Sequence, residues 1–233
     1  MYHSIESMPK STIMRGMHVP PHRFDFQMRL LKYFGYEGLS LRDLKPYLKG
    51  EKLGKVVGIT FDDGYQNNLI NAAPILKKYN FTATSFLVSK YIGKANIWDK
   101  PKGITQRPLM TNNEIQTWLS FGMDIGAHTL SHIDLTSASS SEAIKEIEGC
   151  KIDLEKRFNI PIEDFCYPFG KFNERIYKIA KNVGYLSAST MIRGRANSRS
   201  SLLKLPRIPV THHTLPHLFL IKLFTNYEDK RAN

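Results

Sequence analysis

The chain has 233 residues, of which 42% are hydrophobic and 23% are charged. This composition is ordinary for a globular protein and excludes wholesale disorder, and two cysteines are too few for a disulfide framework. The formal charge of +12 favours anionic partners. No nucleic-acid-binding motif accompanies the charge, so we expect no nucleic acid partner but a solvated surface or a peripheral contact with an anionic membrane.

The length fits one domain over residues 1–233. The opening MYHSIESMPK lacks the basic, apolar and small-residue regions of a signal peptide, and no run of about 18 apolar residues follows it. We therefore expect a cytoplasmic protein, with membrane association as an alternative, unless an earlier segment has been trimmed from the start. The sequence indicates no protein partner.

The first half of the chain contains the pattern of a β-α-β unit. Between residue 22 and Gly35, apolar side chains recur at helical spacing, which predicts a short helix. KVVGITF (55–61) is a compact β-branched run, typical of a strand buried on both faces in a parallel sheet. Residues 67–79 again have helical periodicity, and FTATSFLVS (81–89) alternates like a strand.

The second half repeats this alternation after a long loop. Residues 91–110 hold Trp98 and several Gly and Pro residues, which indicates a loop that could lie over a site. Strands alternating with helices indicate a parallel sheet, either open or closed into a barrel. Helices are predicted within 112–122, 139–158 and 173–184, and strands within 123–128, 162–167, 185–190 and 205–210.

Acidic and imidazole side chains follow two of the predicted strands. Asp62 and Asp63 end the first strand, and His128 and His132 follow a later one, four residues apart. In parallel α/β folds the carboxyl ends of the strands carry the functional groups. Two imidazoles and one carboxylate form a three-ligand site for a divalent cation, and the other aspartate is placed to act as a general base. The alternatives are a calcium-like or capped turn and a pair of surface histidines.

Three motifs carry a resemblance to a known family. TFDDG (60–64), HTLSH (128–132) and YPFG (167–170) resemble, in this order, motifs of the NodB-like polysaccharide deacetylases, carbohydrate esterase family four. The resemblance covers about residues 56–210, and MYHSI and YPFG are similar to the branch of poly-N-acetylglucosamine deacetylases. It implies an α/β fold, a distorted (β/α) barrel of about seven units. It also implies metal-dependent hydrolysis of the acetamide of an N-acetylhexosamine in a glycan or glycolipid.

The resemblance also implies roles for individual residues. By motif position, Asp62 would be the catalytic base. Asp63, His128 and His132 would be the ligands of a divalent metal, with zinc as the expected ion. The backbone N–H of Tyr167 would help to stabilise the oxyanion.

The third motif and a later arginine supply the expected substrate contacts. We expect Tyr167, Pro168 and Phe169 to bind the substrate, with Phe169 as the wall of a groove. Many members of the family carry an arginine where this chain has Cys166. Arg207 is a candidate to supply that guanidinium from another strand, and we count it with the substrate-binding residues; a structural or surface arginine is the alternative.

The general acid is left open by the sequence. His3 ends a would-be first strand and is the catalytic candidate that we favour, while His212 and His213, after the last strand, are the alternatives. Two other functions also remain open, namely a metal hydrolase of a non-sugar amide and a non-catalytic glycan-binding protein.

Overall fold

Along residues 1–232, which the computed structural model describes, eight short strands alternate with seven α-helices. The strands are β1 (Glu37–Leu39), β2 (Val56–Gly58), β3 (Thr60–Phe61), β4 (Thr84–Leu87), β5 (Asp124–Ala127), β6 (Asp164–Cys166), β7 (Ser187–Arg193) and β8 (Leu205–Arg207). The helices are α1 (Pro21–Tyr33), α2 (Leu41–Leu48), α3 (Ala73–Lys78), α4 (Asn112–Ser120), α5 (Ser140–Phe158), α6 (Glu174–Asn182) and α7 (Pro216–Phe224).

The strands form two parallel sheets. Strands β3 to β8 pair in sequence order in a six-stranded sheet, and β1 pairs with β2 in a second one. The larger sheet curls into a half-barrel with helices around it, which confirms the predicted distorted (β/α) barrel. Because consecutive strands are parallel neighbours, their carboxyl ends, and the polar residues that follow them, meet at one edge.

The predicted strand KVVGITF is divided between the two sheets. The N–H of Ile59 donates to the carbonyl of Leu39, whereas its own carbonyl accepts from the N–H of Thr84. Gly58 lies just before this division, and it lets α2 pack closely, because a Cβ there would lie 2.6 Å from Leu44 Cδ2. The split places β3, and the aspartates that follow it, at the edge of the large sheet.

The segment before α3 explains how the predicted helix accommodates Pro74. Residues Asn68–Ala72 form a π-helical turn, and α3 begins at Ala73, so that Pro74 falls within the first turn of α3. A proline there costs little because the first N–H groups of a helix have no intrahelical acceptor. Asn68 and Asn71 lie in this turn, and their side chains contact the segment around residues 3–5.

Serine and threonine caps set the starts of two long outer helices. The Ser139 hydroxyl oxygen accepts from the N–H of Glu142, and the Glu142 carboxylate accepts in turn from the Ser139 N–H; Thr111 forms the same box with Glu114. Each cap is worth about 1 kcal/mol. The serine cluster before residue 140 therefore predicted this helix start correctly.

The C-terminal helix α7 is the most apolar of the helices. It buries Phe219 and leaves Ile221 and Phe224 largely exposed. Within residues 1–232, no helix combines the length and the apolar content that crossing a bilayer requires.

A buried group of charges closes the amino-terminal ends of the strands, and it makes the stability depend on pH. Burial and then the neighbouring carboxylate of Asp164 raise the pKa of Asp124 from 3.8 to about 6, although Arg42 lies 3.7 Å away. An acid whose pKa is raised in the folded state destabilises the fold once it is ionised, so this penalty grows as the pH rises from about 4 through 6.

We expect Asp124→Asn to raise the free energy of unfolding at pH 7.5 by roughly 1–3 kcal/mol, and to change it little at pH 4. Urea unfolding at the two pH values checks this. An equal effect at both pH values, or a loss at pH 7.5, would contradict the proposed ionisation penalty.

Candidate active site

Three side chains at the carboxyl ends of β3 and β5 converge on one point. The Oδ1 of Asp63 lies 3.5 Å from His128 Nε2 and 3.3 Å from His132 Nε2, and all three side chains are buried. Their ligand atoms lie within 4.8 Å of one another. Ligands about 2.0–2.2 Å from a tetrahedral ion are separated by roughly 3.4 Å, so this set fits a divalent cation such as zinc.

The surroundings of the two imidazoles support this assignment. The Nδ1 of His128 donates to the carbonyl of Cys166 at 2.7 Å, which orients the ring so that Nε2 faces Asp63. His132 Nδ1 has no hydrogen-bond partner among residues 1–232. The spacing of four residues predicted that both rings would face one point, and they do, at 4.9 Å between ring centroids.

The backbone around the cluster is held in rarely populated conformations. Four non-glycine residues there have positive φ: Asp63 (74°), Thr129 (67°), His132 (60°) and Phe169 (57°). Such conformations cost about 1–3 kcal/mol each and concentrate at functional sites. Gly170 is required beside them, because its φ is +66° and a Cβ would lie 2.2 Å from Met191. The left-handed turns aim the side chains at the cluster.

Arg207 is the partner of Asp62, the aspartate next to Asp63. Its Nη1 lies 2.7 Å from Asp62 Oδ1 and its Nη2 lies 2.8 Å from Asp62 Oδ2, a bidentate pair between two buried side chains. Its Nε donates to the carbonyl of Thr190, which lies in the part of β7 where the pairing register with β8 shifts. Asp62 is thus buried with a partner, and its desolvation is offset.

The two aspartates therefore face different partners. Asp62 also lies near His128 and Cys166 in a group of ligand-type atoms, but Arg207 Nη2 contacts both Asp62 and the Cys166 sulfur, the latter at 3.3 Å. A cation would be repelled from that guanidinium. Of the two aspartates, Asp63 is therefore the one placed to hold a cation, and Asp62 lies beside it, paired with Arg207.

Both carboxylates are ionised at neutral pH. Burial alone would raise the pKa of Asp62, but the charge and hydrogen bonds of Arg207 outweigh it and lower the pKa to about 2. Burial likewise opposes the ionisation of Asp63, but hydrogen bonds from His128 and His132 hold its pKa well below the usual range. Two adjacent buried anions attract a cation and can accept a proton.

His3 reaches the same site from the start of the chain. Tyr2 pairs with the edge of the sheet, donating to the Thr60 carbonyl at 2.8 Å and accepting from the Asp62 N–H at 3.0 Å. This pairing places His3 Nε2 3.9 Å from Asp62 Oδ2, with 19% of the side chain exposed. The sequence predicted such a position for His3 at the end of a first strand.

Asparagines after the aspartates hold the His3 segment, and the sequence reading missed them. Asn68 is fully buried; its Nδ2 donates to the His3 carbonyl at 2.8 Å and its Oδ1 accepts from the Ile5 N–H at 3.2 Å. Asn67 and Asn71 make further bonds to the same segment. The available signal was three asparagines within one predicted amphipathic helix.

We expect Asn68→Ala to lower the free energy of unfolding by roughly 1–3 kcal/mol, since it leaves the His3 carbonyl unpaired and the Ile5 N–H with Asn67 Oδ1 as its remaining acceptor. Amide hydrogen exchange at Ile5 should also become faster. Asn113→Ala, on the exposed face of α4, is the matched control and should change neither quantity. Unchanged stability together with unchanged exchange at Ile5 would show that Asn68 does not hold the segment.

The alternative histidines lie elsewhere. His212 donates its N–H to the Gly16 carbonyl, and burial lowers the pKa of its imidazole, followed by the charges of Arg15 and Arg23. His213 is exposed, with its ring against that of His212. Of the three candidate histidines, His3 is the one within 4 Å of Asp62 among residues 1–232.

The loop predicted to lie over a site does so. The ring of Trp98 stacks on His132 at 4.8 Å between centroids, and Phe169 meets the same imidazole edge-on at 4.7 Å. Phe169 is 41% exposed, and Lys102 Nζ lies 4.7 Å from its ring centroid. Two aromatic walls thus flank the cluster, as expected for Phe169.

The other predicted contacts of the third motif are not supported. The Tyr167 ring is fully buried between Phe165 and Phe172, so it has no surface for a substrate. Its backbone N–H, predicted as an oxyanion donor, already donates to the Ser189 carbonyl at 3.1 Å. The side chain of Pro168 is buried within the turn as well.

The contacts of Arg207 also do not support its predicted role in substrate binding. Its guanidinium is taken up by Asp62, Thr190 and Cys166, beneath the carboxylate and away from the aromatic walls. The contacts match the hypothesis that Arg207 supplies a guanidinium to the aspartate from another strand.

Taken together, fold and site define a class. A parallel half-barrel with an Asp-Asp-His-His set at the carboxyl ends of its strands is a (β/α) barrel of the NodB type. Among solved structures, the Streptococcus pyogenes deacetylase PplD in complex with acetate superimposes with a TM-score of 0.82 and 29% identity, covering 95% of each chain.

Sequence comparison gives the same family. A model of the polysaccharide deacetylase family matches residues 49–188. YxkH of Bacillus subtilis (strain 168) is 30% identical over 213 residues, 91% of this chain and 70% of YxkH. The poly-beta-1,6-N-acetyl-D-glucosamine N-deacetylase of Staphylococcus aureus (strain MSSA476) is 26% identical over 221 residues, 93% of this chain and 75% of that protein. The chain belongs to the polysaccharide deacetylase family.

Proposed function

We propose that this protein is a metal-dependent N-deacetylase that hydrolyses the acetamide of an N-acetylhexosamine in a glycan or glycolipid and releases acetate. The observation that carries the proposal is the ionised carboxylate of Asp62, held by Arg207 beside the metal-ligand set of Asp63, His128 and His132. The similarity to the Staphylococcus aureus poly-beta-1,6-N-acetyl-D-glucosamine N-deacetylase and to the deacetylase PplD supports it.

The metal would be held by Asp63, His128 and His132. A divalent cation, with zinc as the expected ion, supplies Lewis acidity toward the acetamide carbonyl and lowers the pKa of water when it is bound. The hydrogen bond from His128 Nδ1 to the Cys166 carbonyl keeps that ring oriented and its Nε2 available.

Asp62 would act as the general base. Its carboxylate accepts a proton from the attacking water, whose oxygen forms a bond to the acetamide carbon. Arg207 fixes both carboxylate oxygens, so the base keeps one orientation and stays ionised in a buried site. When the carbon–nitrogen bond breaks, the amine needs a proton, and His3 Nε2, 3.9 Å from Asp62 Oδ2, is placed to supply it.

The aromatic walls suit a sugar ring. Trp98 and Phe169 flank His132 and present apolar faces next to the ligand set, and aromatic rings pack well against the C–H faces of sugars. Their position favours a sugar amide over an extended peptide or a phosphate ester.

The experiment that tests the proposal is acetate release from a panel of N-acetylated substrates. The panel contains β-1,6- and β-1,4-linked N-acetylglucosamine oligomers and a non-sugar acetamide, each with zinc or cobalt and with a chelator. Release from a sugar that the chelator prevents supports the proposal. Release from the non-sugar amide alone, or binding of the oligomers without any release, would overturn it.

A further inference from the structure

Beside the site lies a group of basic side chains that the proposed reaction does not use. We call Arg15, His18, Arg107 and His212 the cationic cluster. They come from separate segments: the 3₁₀ turn Arg15–Met17 and the residue after it, the loop over the site, and the turn after β8.

Met8 links the two arginines of the cluster. Arg15 Nε donates to the Met8 carbonyl at 3.3 Å, and Arg107 Nη2 lies 3.2 Å from the Met8 sulfur. Neither contact neutralises a charge. Within residues 1–232, Glu6 is the one acidic side chain within salt-bridge distance of the cluster, at 3.6 Å from Arg107 Nε.

The pKa values of the histidines in the cluster reflect the nearby positive charges. Burial and then the charges of Arg107, His3 and His212 lower the pKa of His18 to about 4. His18 instead shares a hydrogen bond with Ser4 Oγ at 2.9 Å. Both imidazoles are therefore neutral near pH 7 and the positive charge of the cluster comes from Arg15 and Arg107, a charge that a bound anion would offset.

Two nitrogens of the cluster lack partners in the protein. Arg107 Nε and His212 Nδ1 are buried and have no hydrogen-bond partner among residues 1–232. Glu6 is too distant from Arg107 Nε for a hydrogen bond. Unpaired buried polar atoms are rare in folded proteins and call for a missing ligand or water.

The cluster is tied to the reacting centre. The N–H of Arg107 donates to Asn96 Oδ1 at 2.6 Å, and Asn96 Nδ2 donates to the hydroxyl of Tyr65 at 3.2 Å, in the turn that follows the aspartates. On the other side of the cluster, the charge of His3 helps to lower the pKa of His18, and His3 Nε2 lies 3.9 Å from Asp62 Oδ2. A group bound here would be attached close to the reacting sugar.

We propose that the cationic cluster binds a phosphate group attached to the N-acetylated sugar, so that the preferred substrate is a phosphorylated N-acetylhexosamine. The sugar part of this inference rests on the proposed function. Guanidinium groups bind phosphate oxygens through paired hydrogen bonds, and donors from three segments suit a tetrahedral anion. A sugar phosphate monoester and the diester of a nucleotide-linked or lipid-linked sugar share this chemistry.

The test is binding, measured by calorimetry on the zinc-loaded protein. The probes are N-acetylglucosamine 1-phosphate, uridine diphosphate N-acetylglucosamine, and the neutral methyl glycoside of N-acetylglucosamine. Wild type should bind at least one phosphorylated probe roughly tenfold more tightly than the neutral one, and whether the monoester or the diester is preferred identifies the source. Arg107→Gln should lose most of that preference. Lys156→Gln, which removes the same charge from the exposed face of α5, should retain it.

Equal affinities in wild type, or a preference that survives in Arg107→Gln, would overturn the proposal; a phosphate bound by the metal alone gives the second result. If Arg107→Gln fails to fold, Arg15→Gln takes its place under the same criterion. Acetate release from a neutral oligomer is measured in parallel. Phosphate preference without release would support the cluster and count against deacetylation, whereas release without preference would overturn the cluster alone.

Discussion

Asp62→Asn is expected to reduce acetate release by about 10²- to 10⁴-fold while the protein still binds one equivalent of metal. The amide of asparagine cannot take a proton from water, but the ligands Asp63, His128 and His132 are unchanged. Rates and metal content are measured on the same samples. This combination separates the base from the ligands, which a loss of activity alone would not do.

The control addresses folding. Asp62→Asn leaves Arg207 buried without its anionic partner, so we also expect a loss of roughly 3–5 kcal/mol of stability, and rates must be compared well below the melting temperature. Asp153→Asn, at an ion pair with Arg157 on α5, is the matched control and should lose less than about 1 kcal/mol and no activity. A folded Asp62→Asn protein with near wild-type turnover would exclude Asp62 as the base.

Arg207→Met is expected to destabilise the fold by roughly 3–5 kcal/mol at neutral pH, because it leaves a buried carboxylate unpaired. In wild type, the pKa of Asp62 is lowered to about 2, so its contribution to stability is present above the usual value of 3.8 and is lost as the pH falls through 2. Without the guanidinium, burial dominates and the pKa of Asp62 rises above 3.8. Stability then falls as the pH rises toward neutral.

The same substitution should move the acidic limb of the pH–rate profile to higher pH, since Asp62 must be ionised to act. Urea unfolding at pH 5 and 7, together with rates between pH 5 and 9, measures both effects. Arg207→Lys keeps the charge without the two-pronged contact and should give an intermediate result. An Arg207→Met protein with the stability and pH profile of wild type would contradict the pairing.

The fold could be predicted because its signals are local. The β-branched run at 55–61, the alternation at 81–89 and the serine cap at residue 139 each fix one element through its own side chains. The division of the first run between two sheets could not be predicted, since it depends on which strands pair with its two parts, β1 with the first and β4 with the second. The residues of the run alone do not indicate this division.

The site could be predicted in part for the same reason. Asp63 and His128 lie within two residues of a strand end and His132 four residues beyond His128, so parallel topology was enough to bring them together. The partner of Asp62, Arg207, lies 145 residues away. The sequence alone left open whether Arg207 supplies a guanidinium to the site, binds the substrate or is a structural or surface arginine.

The errors in the site have a common cause. Aromatic residues near strand ends pack inward or line a groove according to the tertiary contacts of each ring. Tyr167 packs between Phe165 and Phe172, while Phe169, two residues on, is turned outward by its positive φ. Likewise, the asparagines that hold the His3 segment act on residues more than 60 positions away.

The most direct test of the central claim is a metal titration of the chelator-treated protein, with acetate release from an N-acetylglucosamine oligomer followed at each addition. Our account predicts no release without metal, a linear rise, and a break at one equivalent of zinc per chain. Full activity in the metal-free protein, or no release at one bound equivalent on any N-acetylated sugar, would contradict it.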